Sequence, residues 1–422
     1  MTADDELHLG VALDGAGWHP AAWREPDATP DRLLTPGYWT ELVRTAEAGL
    51  LDFVSIEDTL ATLPTRRGAP DPSTDRVRGR LDAVLVAARV APRTTSIGLI
   101  PGVTTTHTEP FHLSKSVATL DYVSGGRAGL QVRVSPTATE ARLFGRRTFP
   151  EIERGPATDP EPPRHVTELF DEAADYVEVV RRLWDSWEDD AEIRDVATGR
   201  FVDRDKLHSI GFQGRWFSVN GPSITPRPPQ GQPVVAALAH VPVAFRLAAR
   251  GADLVFVTPT DADHTALLVD TVRSHEIQDR HEDEPLRIIA ELVVFLDDDA
   301  DAARARLARL DGRLEHPYRS DAHVFVGTPS SLADLLVGWH GAGIDGFRLR
   351  PGALPHDLGV IAGGLADELR RRSVFRSHYA AGDLRARFGL ARPASRYAVA
   401  CGSMDPWAPS PARHDPPGTR DE

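Results

Sequence analysis

Three polar stretches stand where short apolar runs end: Ser55-Ile56-Glu57-Asp58-Thr59, Thr104-Thr105-Thr106-His107, and Gln131, Arg133 and Ser135. Carboxylate, amide, hydroxyl, imidazole and guanidinium groups at successive strand ends can hold a polar, planar ligand by hydrogen bonds. They do not compose a nucleophile with its base. A plainer role is equally open for each singly, because Asp58, Thr104 and Ser135 are good helix caps. No Gly-x-Ser-x-Gly elbow occurs, since Ser124 follows Tyr122-Val123, so acyl-enzyme hydrolysis has no support. His107 and His112 lie five apart across Glu109-Pro110 without a third ligand, which favours a structural or pocket role over a metal. His281-Glu282 lacks a second helical histidine and is weaker still.

The elements that must position these groups follow from periodicity. Apolar runs at 7–13, 52–57, 95–100, 128–134, 233–238, 253–258, 286–296 and 346–350 alternate with longer amphipathic segments. Eight such units predict a parallel (β/α)8 TIM barrel, with an open doubly wound sheet as the alternative. The expected organisation is one domain over 1–400, with insertions at about 64–80, 136–164 and 188–232 that can roof a pocket at the C-terminal face. Within the last of these, Gly211 to Val219 alternates like a small hairpin. The Pro-rich segment 401–422 reads as a disordered tail. Gly341-Ala342-Gly343-Ile344-Asp345-Gly346 matches a dinucleotide fingerprint in letters only. A helix precedes it and a strand follows, so a helix C-cap and turn is the better reading.

Composition narrows the class further. The 422 residues include 41% hydrophobic and 26% charged residues, which suits a large buried core. A net charge of −14 without a basic stripe argues against nucleic acid as a partner. No apolar run approaches the ~20 residues that cross a bilayer, and the acidic start Met1 to Glu6 is no signal peptide, so a cytoplasmic location is expected. The single cysteine, Cys401, precludes an internal disulfide or a thiolate cluster.

Several motifs in order carry a resemblance. Gly17-Trp18-His19-Pro20-Ala21-Ala22-Trp23-Arg24, Thr105 to His112, Thr119 to Arg127, Leu183-Trp184-Asp185-Ser186-Trp187, Gly221-Pro222-Ser223 through Gly231, Asp345-Gly346-Phe347, and Arg371 to Arg376 with Phe388-Gly389-Leu390 are its carriers. From about Leu7 to Pro393 the chain resembles the flavin-dependent, luciferase-like monooxygenases, in the branch of nitrilotriacetate monooxygenase component A, dibenzothiophene-sulfone monooxygenase and the larger chain of pristinamycin synthase. The resemblance implies reduced FMN supplied by a separate reductase, O2 as co-substrate, a small organic substrate, and a homodimer or homotetramer. It also implies that Asp58, Thr104, Thr105, Gln131 and Ser135 hold the ring system, and that the loop Ala239-His240-Val241 and Phe170 lie near the phosphate. His107 is the residue best placed in sequence to exchange a proton with substrate, since an ordinary imidazole pKa near ~6.5 makes both states accessible.

The chain departs from that pattern at the expected ligand contacts. Leu130-Gln131-Val132-Arg133-Val134-Ser135 replaces Trp-Asn-Val-Val-Thr-Ser, and Leu169-Phe170 replaces an Arg-Tyr pair, although His165 is close. Ala237-Leu238-Ala239-His240-Val241 replaces Gln-Ala-Gly-x-Ser, which removes a hydroxyl and a glycine from the phosphate loop. Each lost contact costs ~1–3 kcal/mol, tens- to thousands-fold together. Arg133 and His240 are the expected sources of replacement charge. Three readings follow: an FMN-dependent monooxygenase, an enzyme with altered contacts or another cofactor such as a deazaflavin, and a flavin-free relative that is either a different catalyst or the structural partner of an active paralogue.

Overall fold

The computed structural model describes residues 6–62, 73–150, 162–281 and 284–398. Eight parallel strands close into a barrel: β1 (His8–Leu13), β2 (Phe53–Ile56), β3 (Gly98–Thr104), β4 (Gly129–Arg133), β5 (Val234–Leu238), β6 (Leu254–Val257), β7 (Arg287–Leu296) and β8 (Gly346–Pro351). Closure comes from β8 pairing with β1, where His8 opposes Gly346 and Val11 opposes Leu349. The continuous apolar runs are what strands covered on both faces require. This is the predicted (β/α)8 barrel.

Helices α1 (Pro36–Ala48), α2 (Ala83–Val90), α3 (Pro110–Ser124), α4 (Ala138–Phe144), α5 (Arg164–Asp185), α6 (Pro242–Gly251), α7 (Ala262–Asp279), α8 (Ala300–Asp311) and α9 (Pro329–His340) join the strands, α4 being an extra turn within an insertion. Their starts are written locally. Thr35 and Asp261 accept from backbone N–H groups of α1 and α7, and Thr328 with Ser331 forms a reciprocal capping box on α9. A short helix at Leu384–Arg387 puts Leu384 and Phe388 against Phe53, Ile100 and Phe256 in one buried cluster.

Two boundaries differ from expectation. The third strand begins at Gly98 and runs to Thr104, because the amides of Thr95, Ser96 and Ile97 all donate to Glu47 Oε1 as a turn, at 2.8, 2.7 and 3.2 Å. Pro101 and Gly102 read as punctuation but lie inside the strand. A strand absent from the sequence reading, His323–Gly327, pairs with Leu292–Leu296, since β7 is long enough to meet β6 with its first half and this strand with its second.

The 188–232 insertion holds two hairpins, Glu192–Asp195 with Arg200–Val202, and Phe212–Gln213 with Ser218–Val219, the second where the alternation placed it. Gly343 has φ +102°, consistent with a turn after α9. Residues 63–72 and 151–161 of the other insertions, Glu282, and the expected tail lie outside the described residues. No helix among those described is long and apolar enough to cross a membrane.

The Thr119–Arg127 motif is a fold device. Gly125 ends α3 at φ 68°, and the buried Arg127 donates to the carbonyls of Ala91, Thr94, Ile97 and Ser124. Asp121 accepts from Gln230 and from the Ala128 amide, and burial pushes its carboxyl up to about 6.

Candidate functional site

Side chains on a barrel strand alternate between interior and helix layer, so residues two apart face inward together. Near the C-terminal ends this rule brings together Ser55 and Glu57, Gln131 and Arg133, and Arg348 and Arg350, with Glu291 opposite Arg348 in the β7–β8 register. Arg348, 1% exposed, is the centre. Its Nε donates to Ser55 Oγ at 2.7 Å and one Nη to Gln131 Oε1 at 3.2 Å, while its other contacts are ion pairs with Glu57 and Glu291. Its guanidinium also lies 4.7 Å above the Phe256 ring, so β2, β4, β6, β7 and β8 all meet one side chain.

The network continues on both sides. Arg133 donates from Nη1 to Glu57 Oε2 at 2.7 Å and to the Asp58 carbonyl at 3.0 Å. Its stem crosses Gly102, where a Cβ would stand 3.4 Å from Arg133 Cδ. Arg350 pairs with Glu291 and with Asp321, the latter at 2.6 Å, and stacks 4.5 Å from the Trp18 ring. Burial works to raise the Glu57 carboxyl, but Arg348 and Arg133 outweigh it and hold it below the usual range. Three arginines thus face three carboxylates, with Arg348, Arg350, Glu57 and Glu291 buried and Arg133 and Asp321 reaching solvent.

The sequence-selected residues divide around this set. Gln131 and Arg133 belong to it, and Thr105 borders it by donating from Oγ1 to the Arg133 carbonyl at 3.1 Å. Thr104 is buried opposite Arg133 in the β3–β4 register. Asp58 turns its carboxylate away, accepting from Thr59 N at 2.7 Å and Ala83 N at 3.2 Å at the start of α2. Ser135 Oγ accepts from the Thr137 amide at 3.4 Å and shares a hydrogen bond with Thr137 Oγ1 at 3.0 Å, while its own amide donates to Thr106 Oγ1 at 2.9 Å. Asp58 thus serves backbone amides beside the start of α2, whose N-cap is Asp82.

His107 sits apart, in a concavity of about 70 Å³ with Tyr176, Arg147, Trp216 and Phe217. Its ring stacks on Phe144 at 4.8 Å, and buried Nε2 has no hydrogen-bond partner. Burial lowers its pKa, which favours the uncharged ring. A second concavity, about 130 Å³, lies after β1 between Asp14, Trp18, Trp23, Arg76 and Arg80.

At the opposite side of the mouth Ala239 is buried, His240 exposed, and Val241 precedes Pro242 at the start of α6 without a side-chain cap. Phe170 packs against the main core. Arg133, expected as replacement charge for a phosphate, is already matched by Glu57. No cluster able to hold a metal ion occurs among the described residues.

The sequence reading missed Arg348, Arg350, Glu291, Asp321, and the paired Asp14 and Arg80. A signal existed: Arg348, Arg350 and Glu291 interrupt apolar barrel strands, where unpaired charge is intolerable.

FMN, implied by the resemblance, does not fit this arrangement. A ligand of its size needs about 300–1,000 Å³, several times either concavity described here. The interior between the strand ends is filled by the Arg348 set, and loop 239–241 offers no hydroxyl to a phosphate.

Comparison with known proteins bears on the same question. The profile of the luciferase-like monooxygenases matches residues 17–324. Nitrilotriacetate monooxygenase component A of Aminobacter aminovorans is 30% identical, across 93% of this chain and 98% of that one. One polypeptide of the pristinamycin IIA synthase of Streptomyces pristinaespiralis is 31% identical at the same coverage, and a second polypeptide of that enzyme is 32% identical over 48% of this chain and 57% of its own. Among solved structures, a riboflavin lyase with modified FMN and riboflavin superposes with a TM-score of 0.77 at 25% identity, across 90% of this chain and 95% of that one.

Proposed function

The chain belongs to the luciferase-like monooxygenase family, and from that membership we propose that it serves a two-component oxygenation of a small organic substrate, with O2 as co-substrate and reduced FMN delivered by a separate reductase. The observation that carries this reading is near-complete, colinear similarity to a monooxygenase component, joined to the same closed barrel. Reduced flavin supplies the oxygen activation in such systems. The chain's own contribution is a buried ion-pair layer at the strand ends and His107 in an aromatic pocket whose burial favours the uncharged ring. The mouth as arranged offers FMN no seat.

One observation favours a second form of the same reading. Two different polypeptides of pristinamycin IIA synthase resemble this chain, and a filled mouth suits a chain that works beside a flavin-bearing partner of the same fold. The test is reconstitution with a flavin reductase, NADH, FMN and O2, with and without a flavin-binding paralogue, against panels of aminopolycarboxylates and thioethers. Substrate oxygenation that requires this chain is the expected result. Product formation no greater than with reductase alone, in every combination, would remove the proposal.

A further inference from the structure

We infer that this chain excludes the flavin ring from its own barrel, because Arg348 and its partners fill the barrel interior at the strand ends. The inference rests on the two-component reading and places the flavin on a second chain of the same fold. Three observations carry it. Arg348 is fixed from four strands besides its own, through Ser55 and Glu57, Gln131, Phe256 and Glu291, so no single rotamer change clears the mouth. The charges of Arg133, Arg348 and Arg350 are matched by Glu57, Glu291 and Asp321, which leaves none of these three unpaired for a phosphate dianion or an anionic reduced ring. A ligand entering here would first have to part buried ion pairs, leaving charge uncompensated in a dry interior. Finally, at the expected phosphate end Leu169, Phe170, Ala239, Val241 and Pro242 carry no polar side-chain atom, and His240, the polar side chain of that loop, is exposed.

This differs from mere loss of affinity. A weakened phosphate site would still admit the bare ring, whereas a filled mouth refuses it. Lumiflavin, the ring without the phosphorylated chain, separates the two cases.

The experiment uses the full chain in equilibrium dialysis and fluorescence titration with FMN, anaerobically reduced FMN and lumiflavin. The wild type is expected to show no saturable uptake of any of the three up to about 100 μM, and no change in melting temperature. The double variant Glu57→Ala with Arg348→Ala removes one anion and one cation together. It is expected to quench lumiflavin fluorescence saturably, at least about tenfold more tightly than the wild type. Saturable one-to-one uptake of any of the three by the wild type below about 100 μM overturns the inference. So does a double variant with unchanged circular dichroism that still refuses lumiflavin. If that variant does not fold, the wild-type titration alone decides. Flavin uptake by the wild type would leave the proposed oxygenation standing, while a failed reconstitution would end that proposal whatever the titration shows.

Discussion

Arg348 on β8 and Glu57 after β2 join across the barrel mouth, although 291 residues separate them in the chain. Through Glu57 the contact passes to Arg133, and through Glu291 to Arg350 and on to Asp321, so four strand ends and Asp321 share one charge-neutral set. The arrangement is an ionic layer set directly on the aromatic cluster of Phe53, Phe256 and Phe388, since the Arg348 guanidinium meets the Phe256 ring at 4.7 Å.

Truncating the centre of this set should be costly. Arg348→Met leaves Glu57 and Glu291 each short of a partner in a dry site, and the expected loss is about 3–5 kcal/mol of unfolding free energy. Urea denaturation measures it. A loss below about 1 kcal/mol would mean that water reaches the pairs freely.

The motif from Thr119 to Arg127 should behave as structure. Arg127→Lys cannot reach the four carbonyls that the guanidinium serves, and an expected cost of about 2–4 kcal/mol follows from stranded acceptors. Gly125→Ala meets nothing within 4 Å, so its cost is the left-handed backbone alone, about 1 kcal/mol. Thermal melts of both variants check the ranking.

Much of the barrel was legible because each strand is buried on both faces and reads as an unbroken apolar run, as His8–Leu13 and Arg287–Leu296 do. The strand at His323–Gly327 was not, being short and only half-buried. The polar rim was legible residue by residue, but the meaning of Arg133 was not, since its partner Glu57 lies on another strand and Glu57 is shared with Arg348. Pairings across a closed sheet leave no local spacing to read.

His107→Phe should keep the fold. The ring already stacks on Phe144 and its buried Nε2 has no partner, so an apolar ring of similar size is expected to change stability by less than about 1 kcal/mol. His107→Ala should cost about 2–4 kcal/mol by leaving a cavity. If the phenylalanine variant melts as low as the alanine one, the imidazole has a polar partner that matters. Turnover lost in the phenylalanine variant at unchanged stability would give His107 a part in the chemistry.

At the N-terminal end of the barrel, Asp253 predicts how stability responds to acid. Its carboxylate meets Arg181 Nη2 at 2.9 Å and Arg385 Nη1 at 3.0 Å, and accepts from Val235 N at 2.8 Å. Burial alone would raise its pKa, but the two guanidinium groups and the amide bring it down to about 2 from 3.8. A carboxyl depressed in the folded state binds fewer protons there than in the unfolded chain. Its contribution is therefore complete above the unfolded value of 3.8 and disappears as pH falls toward 2. The size is of the order of 2 kcal/mol. Asp253→Asn removes this term and leaves two buried arginines short of an anion, so the variant should be less stable at pH 7. Between pH 4 and pH 2 the difference between wild type and variant should shrink. Urea midpoints for both proteins across that window measure the difference directly, free of the other acids that titrate there. A gap that stays constant down to pH 2 would show that Asp253 is not held ionised by Arg181 and Arg385.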